Sequence, residues 1–211
     1  DTCITNLMPY GINIRTAGTD EEERCQLMAM LATESCGVPD AAAPTSSARG
    51  IAQIVPDTAA TKGLCNPAGI PSGAGDCDVA NGGFDNREIP ALAIPIGMIL
   101  LREEHEAFKA AGYTHWEDYG SGGYNTGRGC MGRIIGKATT DFGDNPDWNH
   151  VAHVIEEDDV VYCFCSGRTA SGCGRGLDSS GGKAAKIKEM REYPVKIREY
   201  KQICLDNNLM S

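Results

Sequence analysis

The chain lacks several features that would each have assigned it to a class. It has no apolar run long enough to cross a bilayer. The longest, Ile89 to Leu101, holds thirteen residues and is broken by Pro90 and Pro95, against about 20 for a spanning helix. It has no pair of Cys-x-x-Cys knuckles, which counts against a zinc site at Cys163, Cys165, Cys173 and Cys204. The stretch Asp76-Cys77-Asp78 with Asn81-Gly82 lacks the position-five ligand and the closing glutamate of a calcium loop. No metal is expected. There are no internal repeats. Basic charge is scarce over most of the chain: residues 1 to 182 carry 12 basic and 25 acidic side chains, net −13, and only residues 183 to 211 are basic, net +3. An acidic body excludes nucleic acid as the expected partner. The terminal lysines read as a solvated helix face, or as a face toward an anionic polymer. No signal peptide is recognised. The chain opens on Asp1 and is expected to be a mature or excised form.

Cysteine, by contrast, is plentiful. Ten cysteines in 211 residues read as a disulfide framework and so as an oxidising compartment: extracellular, periplasmic or virion-associated. The pairing cannot be deduced from the count, but Cys65 and Cys77 lie in one glycine-rich loop and are expected to pair, Cys3 is placed to pin the lead-in, and Cys204 to staple the C-terminal helices. Composition is 41% hydrophobic and 23% charged, ordinary for one globular core with a small appendage.

The segment from Thr19 to Leu64 organises the reading. Thr19 with Glu22 forms a candidate capping box, and Glu21, Glu22 and Glu23 suit the positive end of a helix dipole. A helix over Asp20–Ser35 is expected, with Leu27, Met30 and Leu31 on one stripe and Cys36-Gly37-Val38-Pro39 ending it. Glu34 continues the apolar stripe at the C-terminal end, where burial and the dipole both disfavour its charge. Such a carboxyl should have a raised pKa, which suits a general acid at neutral pH. On the helix alone, a glutamate bonded to backbone or reaching out of the helix end is the plainer alternative.

The neighbouring motifs favour the acid. Glu34-Ser35, then Gly50-Ile51-Ala52-Gln53-Ile54-Val55-Pro56-Asp57-Thr58-Ala59, resembles the first motif of the soluble lytic transglycosylases of the lysozyme superfamily. Ile94-Pro95-Ile96-Gly97-Met98-Ile99-Leu100-Leu101 is similar to the second, and Gly123-Tyr124-Asn125-Thr126-Gly127 to the third. The order is the family's, and the resemblance covers about residues 20 to 140. It implies a mainly α fold: a lysozyme-like α-helical domain over 19–140 with long disulfide-stapled loops, preceded by an N-terminal lead-in over 1–18 and followed by a cysteine-containing C-terminal extension over 141–211.

It also implies an activity. Peptidoglycan glycan strands would be the partner and the β-1,4 bond between N-acetylmuramic acid and N-acetylglucosamine the target, cut without water. Glu34 would first protonate the linking oxygen, with help from the 2-acetamido group, and then remove the proton from the 6-hydroxyl as a 1,6-anhydro ring closes. One carboxyl suffices, unlike the pair of ordinary glycosidases, and no cofactor is implied. Gln53 would line the sugar cleft, since an amide both donates and accepts. Tyr124 would orient Glu34, and Asn125 would contact sugar or shape the turn before Gly127. Ser35, Val55 and Thr45 complete the substrate-facing set, with Ser35 in a structural role and Gly97 at a close helix packing. There are departures. Ile51-Ala52 and Val55 replace Leu-Met and Met, Ala93 and Leu100 replace Asn and Tyr, and the loop after Glu34 is one residue longer. The expected serine falls at Pro44, with Thr45 or Ser46 as substitutes. These changes bear on subsite preference. The alternatives are a goose-type lysozyme that uses water, with Asp40 or Asp57 as the nearest second acid, and a non-catalytic lysozyme-fold protein that binds glycan or builds a particle. Association with a phage particle or a cell-envelope apparatus is a further expectation.

Elsewhere, residues 1 to 18 read as an extended lead-in. A second helical segment is expected from Ser47 toward Lys62, bent or restarted at Pro56. A third helix is expected from Pro90 to Ala111, kinked or late at Pro95, with Leu92, Ile96, Ile99 and Glu103 on one side. Gly120 to Gly123 read as a lead into Tyr124, and Met131 to Ala138 as a short helix. Val160 to Cys165 reads as a strand, and the segment from Lys183 as two short amphipathic helices interrupted at Pro194 and packed back on the catalytic part.

Overall fold

A computed structural model describes residues 1–43, 47–65, 77, 83–156 and 180–211. It is mainly helical: α1 Thr2–Leu7, a 3-10 turn Met8–Tyr10, α2 Gly11–Ala17, α3 Glu21–Ser35, α4 Pro56–Thr61, α5 Pro90–Ala110, α6 Trp116–Thr126, α7 Arg128–Phe142, α8 Trp148–Ile155 and α9 Ser180–Asp206. Strand pairing among the described residues is limited to isolated bridges. No helix there is long and apolar enough to cross a membrane. The chain forms two compact units, residues 1–99 with 197–211, and residues 100–196.

The first unit is built on α3. Asp20 is its N-cap and accepts from the Glu23 backbone N–H at 2.9 Å, while the Glu23 carboxylate accepts from the N–H and the hydroxyl of Thr19. The capping pair is therefore Asp20 with Glu23, one residue beyond the expected Thr19 with Glu22. Asp caps as well as Ser or Thr, and the register that buries the following residues decides between them. Cys25 to Ala32 are buried without interruption, so α3 is covered on all sides rather than along one stripe. α1 and α2 pack on it with Ile4, Leu7 and Ile14 buried.

That replaces the extended lead-in expected for residues 1 to 18. Helices this short are marginal alone and carry little periodic signal; burial against α3 stabilises them. The end of the chain is tied to the same core. Cys25 is disulfide-bonded to Cys204, Lys201 pairs with Glu22 at 2.9 Å, and Arg24 and Arg15 donate to the carbonyls of Met210 and Leu209.

The second expected helix is shorter than its sequence suggests. Only Pro56–Thr61 is helical, with Pro56 at its start. Residues 49 to 54 form a tight hairpin in which Arg49 and Ile54 exchange backbone hydrogen bonds. Gly50 and Gln53 both have positive φ, 81° and 47°, a conformation that a right-handed helix cannot contain.

In the second unit Phe108, Tyr119, Met131, Ile134, Trp148 and Val151 share one apolar core. Its α6 runs through Gly120 to Gly123, expected only as a lead into Tyr124. The helix is possible because Gly120 lies where a Cβ would come within 2.2 Å of the His105 ring and within 3 Å of the His105 backbone. Close packing there offsets the ~1 kcal/mol helix cost of a glycine. α7 is longer at both ends than the expected Met131–Ala138.

α5 matches its expected span, with Pro95 inside it, but its buried side differs. Ala93, Ile94, Met98 and Leu101 are buried, whereas Leu92 and Ile99 are exposed. A helix that is apolar nearly all round does not reveal which side its neighbours cover. α9 is one continuous helix through Pro194, not two. Residues on both sides of the proline, Tyr193, Ile197 and Cys204, are buried, and that burial outweighs the one backbone bond the proline removes. The strand expected at 160–165 lies outside the described residues, as do Cys163, Cys165 and Cys173. The pairing of Cys65 with Cys77 is as expected.

Candidate functional site

Glu34 is half-buried one residue before the last residue of α3. The residues just after it are held from several directions. Cys36 closes the helix in a left-handed conformation, φ 53°, and is disulfide-bonded to Cys3. The Asn6 side chain donates to the Cys36 carbonyl at 3.0 Å. Gly37 sits where a Cβ would come within 2.9 Å of Asn6. The Ser35 hydroxyl donates to Leu31 O and accepts from Gly37 N, both at 3.1 Å. The N-terminal helix α1 is thus a clamp on the end of α3 that carries Glu34.

The loop after Glu34 leads directly to Gln53. Residues 41 to 43 run antiparallel to 48 to 50: Gly50 N–H donates to Ala41 O at 2.8 Å and Ala43 N–H to Ala48 O at 3.2 Å. The half-buried Gln53 side chain closes this arrangement. Its Nε2 donates to Ala41 O at 2.9 Å and to Gly50 O at 2.8 Å. Both amide hydrogens are therefore directed at backbone, and the oxygen is the part left to meet a ligand. Val55, next along, is an extended N-cap residue, 38% exposed, so it offers an apolar surface to solvent. Thr45, with Pro44 and Ser46, lies outside the described residues. Asp40 and Asp57 are both exposed.

Sequence reasoning missed Arg87. Its side chain is fully buried and holds Asp85, itself 17% exposed, in a two-point contact: Nε to Oδ1 at 2.9 Å and Nη2 to Oδ2 at 2.6 Å. Its Nη1 donates to Ser47 O at 2.7 Å, just before the hairpin, and to Ile54 O at 3.1 Å, at its last residue. Burial alone would raise the Asp85 pKa, but the hydrogen bonds and charge of Arg87 outweigh it and hold the carboxyl below its ordinary value. Nothing in an Asp-x-Arg triplet after a glycine-rich stretch of sequence signals this burial.

In the second unit Tyr124 and Asn125 occupy the last turn of α6, which ends at Gly127 with φ 82°. Both are half-buried. The Asn125 side chain donates to Glu189 Oε1 of α9 at 2.8 Å, and Lys186 bridges the same carboxylate and the Asn125 oxygen at 2.5 and 3.5 Å. The pair of Lys186 and Glu189 is legible as one turn of an amphipathic helix, but its partner is not. Arg128, at the start of α7, is fixed by Glu104 at 3.0 and 3.2 Å and by the Glu103 carbonyl. Tyr119 is buried and donates to the Pro146 carbonyl. Burial pushes its phenol well above the usual range, so it remains a donor.

The first unit therefore carries Glu34, Ser35, Gln53 and Val55, and the second Tyr124 and Asn125. A family model, Transglycosylase SLT domain, matches residues 12–145. No curated protein matches the chain.

Proposed function

The chain belongs to the SLT transglycosylase family, soluble lytic transglycosylases of the lysozyme-like superfamily that act on peptidoglycan, and on that premise we propose that it cuts the β-1,4 bond between N-acetylmuramic acid and N-acetylglucosamine with Glu34 as its acid and base. The observation that carries the reading is the setting of Glu34: a half-buried glutamate near the end of a helix buried for eight consecutive residues, in a family whose chemistry needs one acid.

Glu34 gives its proton to the glycosidic oxygen as the bond to C1 breaks. The 2-acetamido oxygen shares the positive charge that develops at C1. The 6-hydroxyl then attacks C1, its proton passes to the Glu34 carboxylate, and the acid is regenerated. Atoms balance without water, and the muramic acid leaves as its 1,6-anhydro form. The clamp formed by Cys3–Cys36 and Asn6 keeps the last turn of α3 from fraying, which general acid catalysis requires because proton transfer demands fixed geometry. The Gln53 oxygen is suited to accept from the N–H of an N-acetyl group, and exposed Val55 to lie under a sugar ring. Tyr124 and Asn125 are the candidates from the second unit to meet the glycan. The disulfides support an oxidising compartment: extracellular, periplasmic or virion-borne.

The test is mass spectrometry of muropeptides released from sacculi by the parent protein and by Glu34→Gln. Anhydro-muropeptides that fall at least about 100-fold with Glu34→Gln are expected. Reducing-end products would replace this mechanism with hydrolysis. No release from sacculi by the folded, oxidised protein would overturn the enzymatic reading.

A further inference from the structure

We propose that Arg87 is a positioning residue that sets Gln53 for glycan binding; the inference rests on the reading of Gln53 as a cleft residue. The side chain of Arg87 has no exposed surface, and its partner Asp85 is 17% exposed. A buried ion pair of this kind about breaks even against apolar residues of similar volume, so gross stability does not explain it. Direction does. The two-point contact with Asp85 fixes the plane of the guanidinium, and the remaining nitrogen, Nη1, then reaches Ser47 O at 2.7 Å and Ile54 O at 3.1 Å. Ser47 lies just before the hairpin that bears Gln53, and Ile54 is its last residue.

The Arg87 backbone meets the same hairpin, because a Cβ on Gly50 would lie 1.8 Å from the Arg87 carbonyl oxygen. Gln53 itself has φ 47°. A non-glycine residue persists in that conformation only where its surroundings over-determine it. Arg87 holds the chain just before the hairpin and at its last residue, and the Gln53 amide holds its middle through Gly50 O and Ala41 O. With both amide hydrogens so committed, the direction of the Gln53 oxygen is set by where Arg87 holds the turn. A lysine, a single point charge, could not span Asp85 and two carbonyls at once.

The test is a double-mutant cycle on affinity for soluble, uncross-linked peptidoglycan strands. It is measured by calorimetry in the Glu34→Gln background so that the strands survive, at a temperature where every variant is folded. Arg87→Lys and Gln53→Ala should each weaken binding about tenfold, and the double variant no more than either alone. In Arg87→Lys the side-chain amide protons of Gln53, assigned by their disappearance in Gln53→Glu, should exchange with solvent at least ten times faster. Asp85→Asn, a milder change, serves if Arg87→Lys does not fold and should move both readouts in the same direction. Ile134→Ala, in the core of the other unit, is the control for lost stability alone and should move neither. Fully multiplicative losses in the double variant, or an Arg87→Lys that behaves like Ile134→Ala, would overturn the positioning role and leave the cleft reading of Gln53 standing. Unchanged affinity in Gln53→Ala would overturn both.

Discussion

Replacing Cys3 and Cys36 together by alanine removes the clamp two residues beyond Glu34, and its effect can be worked from the structure. The cysteines are 33 residues apart in sequence. In the chain-entropy description, freeing a loop of that length destabilises the fold by about 4 kcal/mol. For a chain of this size each kcal/mol lowers Tm by about 2–4 °C, so the expected drop is about 8–16 °C. A second variant separates the bridge from the backbone. Cys36 has φ 53°, which costs a side-chain-bearing residue about 1–2 kcal/mol and glycine little. Cys3→Ala with Cys36→Gly should therefore recover about 1 kcal/mol, because relief of strain exceeds the added freedom of the unfolded chain. Thermal unfolding followed by circular dichroism reads both. Muropeptide release at a temperature where all forms are folded should then fall more in the alanine pair than its stability alone explains, because the end of α3 frays first. A Tm within 3 °C of the parent's, or a glycine variant less stable than the alanine one, would refute the reasoning.

Two further predictions concern the Gln53 hairpin. Gly50→Ala should cost about 3 kcal/mol, from φ 81° and a Cβ 1.8 Å from a carbonyl oxygen, whereas Gly63→Ala, with φ 73° and nothing within 4 Å, should cost only about 1 kcal/mol. Equal losses in urea unfolding would show that close approach to Arg87 is not the cause. The lowered pKa of Asp85 makes its pairing with Arg87 pH-dependent with a definite sign. Its contribution is fully present above the unfolded carboxyl's pKa of about 3.9 and is lost as pH falls through the lower folded value. Unfolding free energies from pH 6 to pH 2 should accordingly drop less in Asp85→Asn than in the parent; an unchanged acid limb would contradict the pairing.

Local chemistry carried much of this protein into view. The helix ending at Ser35, the place of Glu34 near its end, the span of α5 and the short-range Cys65–Cys77 pair all arise from residues close together in sequence. Caps, spacing and loop closure act over a few residues, so they are written there. Other features were decided only by tertiary contact. A glycine-rich stretch becomes α6 because His105 packs against Gly120. The lead-in becomes two helices because α3 offers them a surface. Pro194 stays inside a helix because its neighbours are buried on both sides. The choice of Cys36 for Cys3 and of Cys204 for Cys25 depends on which ends meet. Arg87 belongs to this second class most clearly: among the groups that receive its buried charge, Ser47 and Ile54 lie more than thirty residues away.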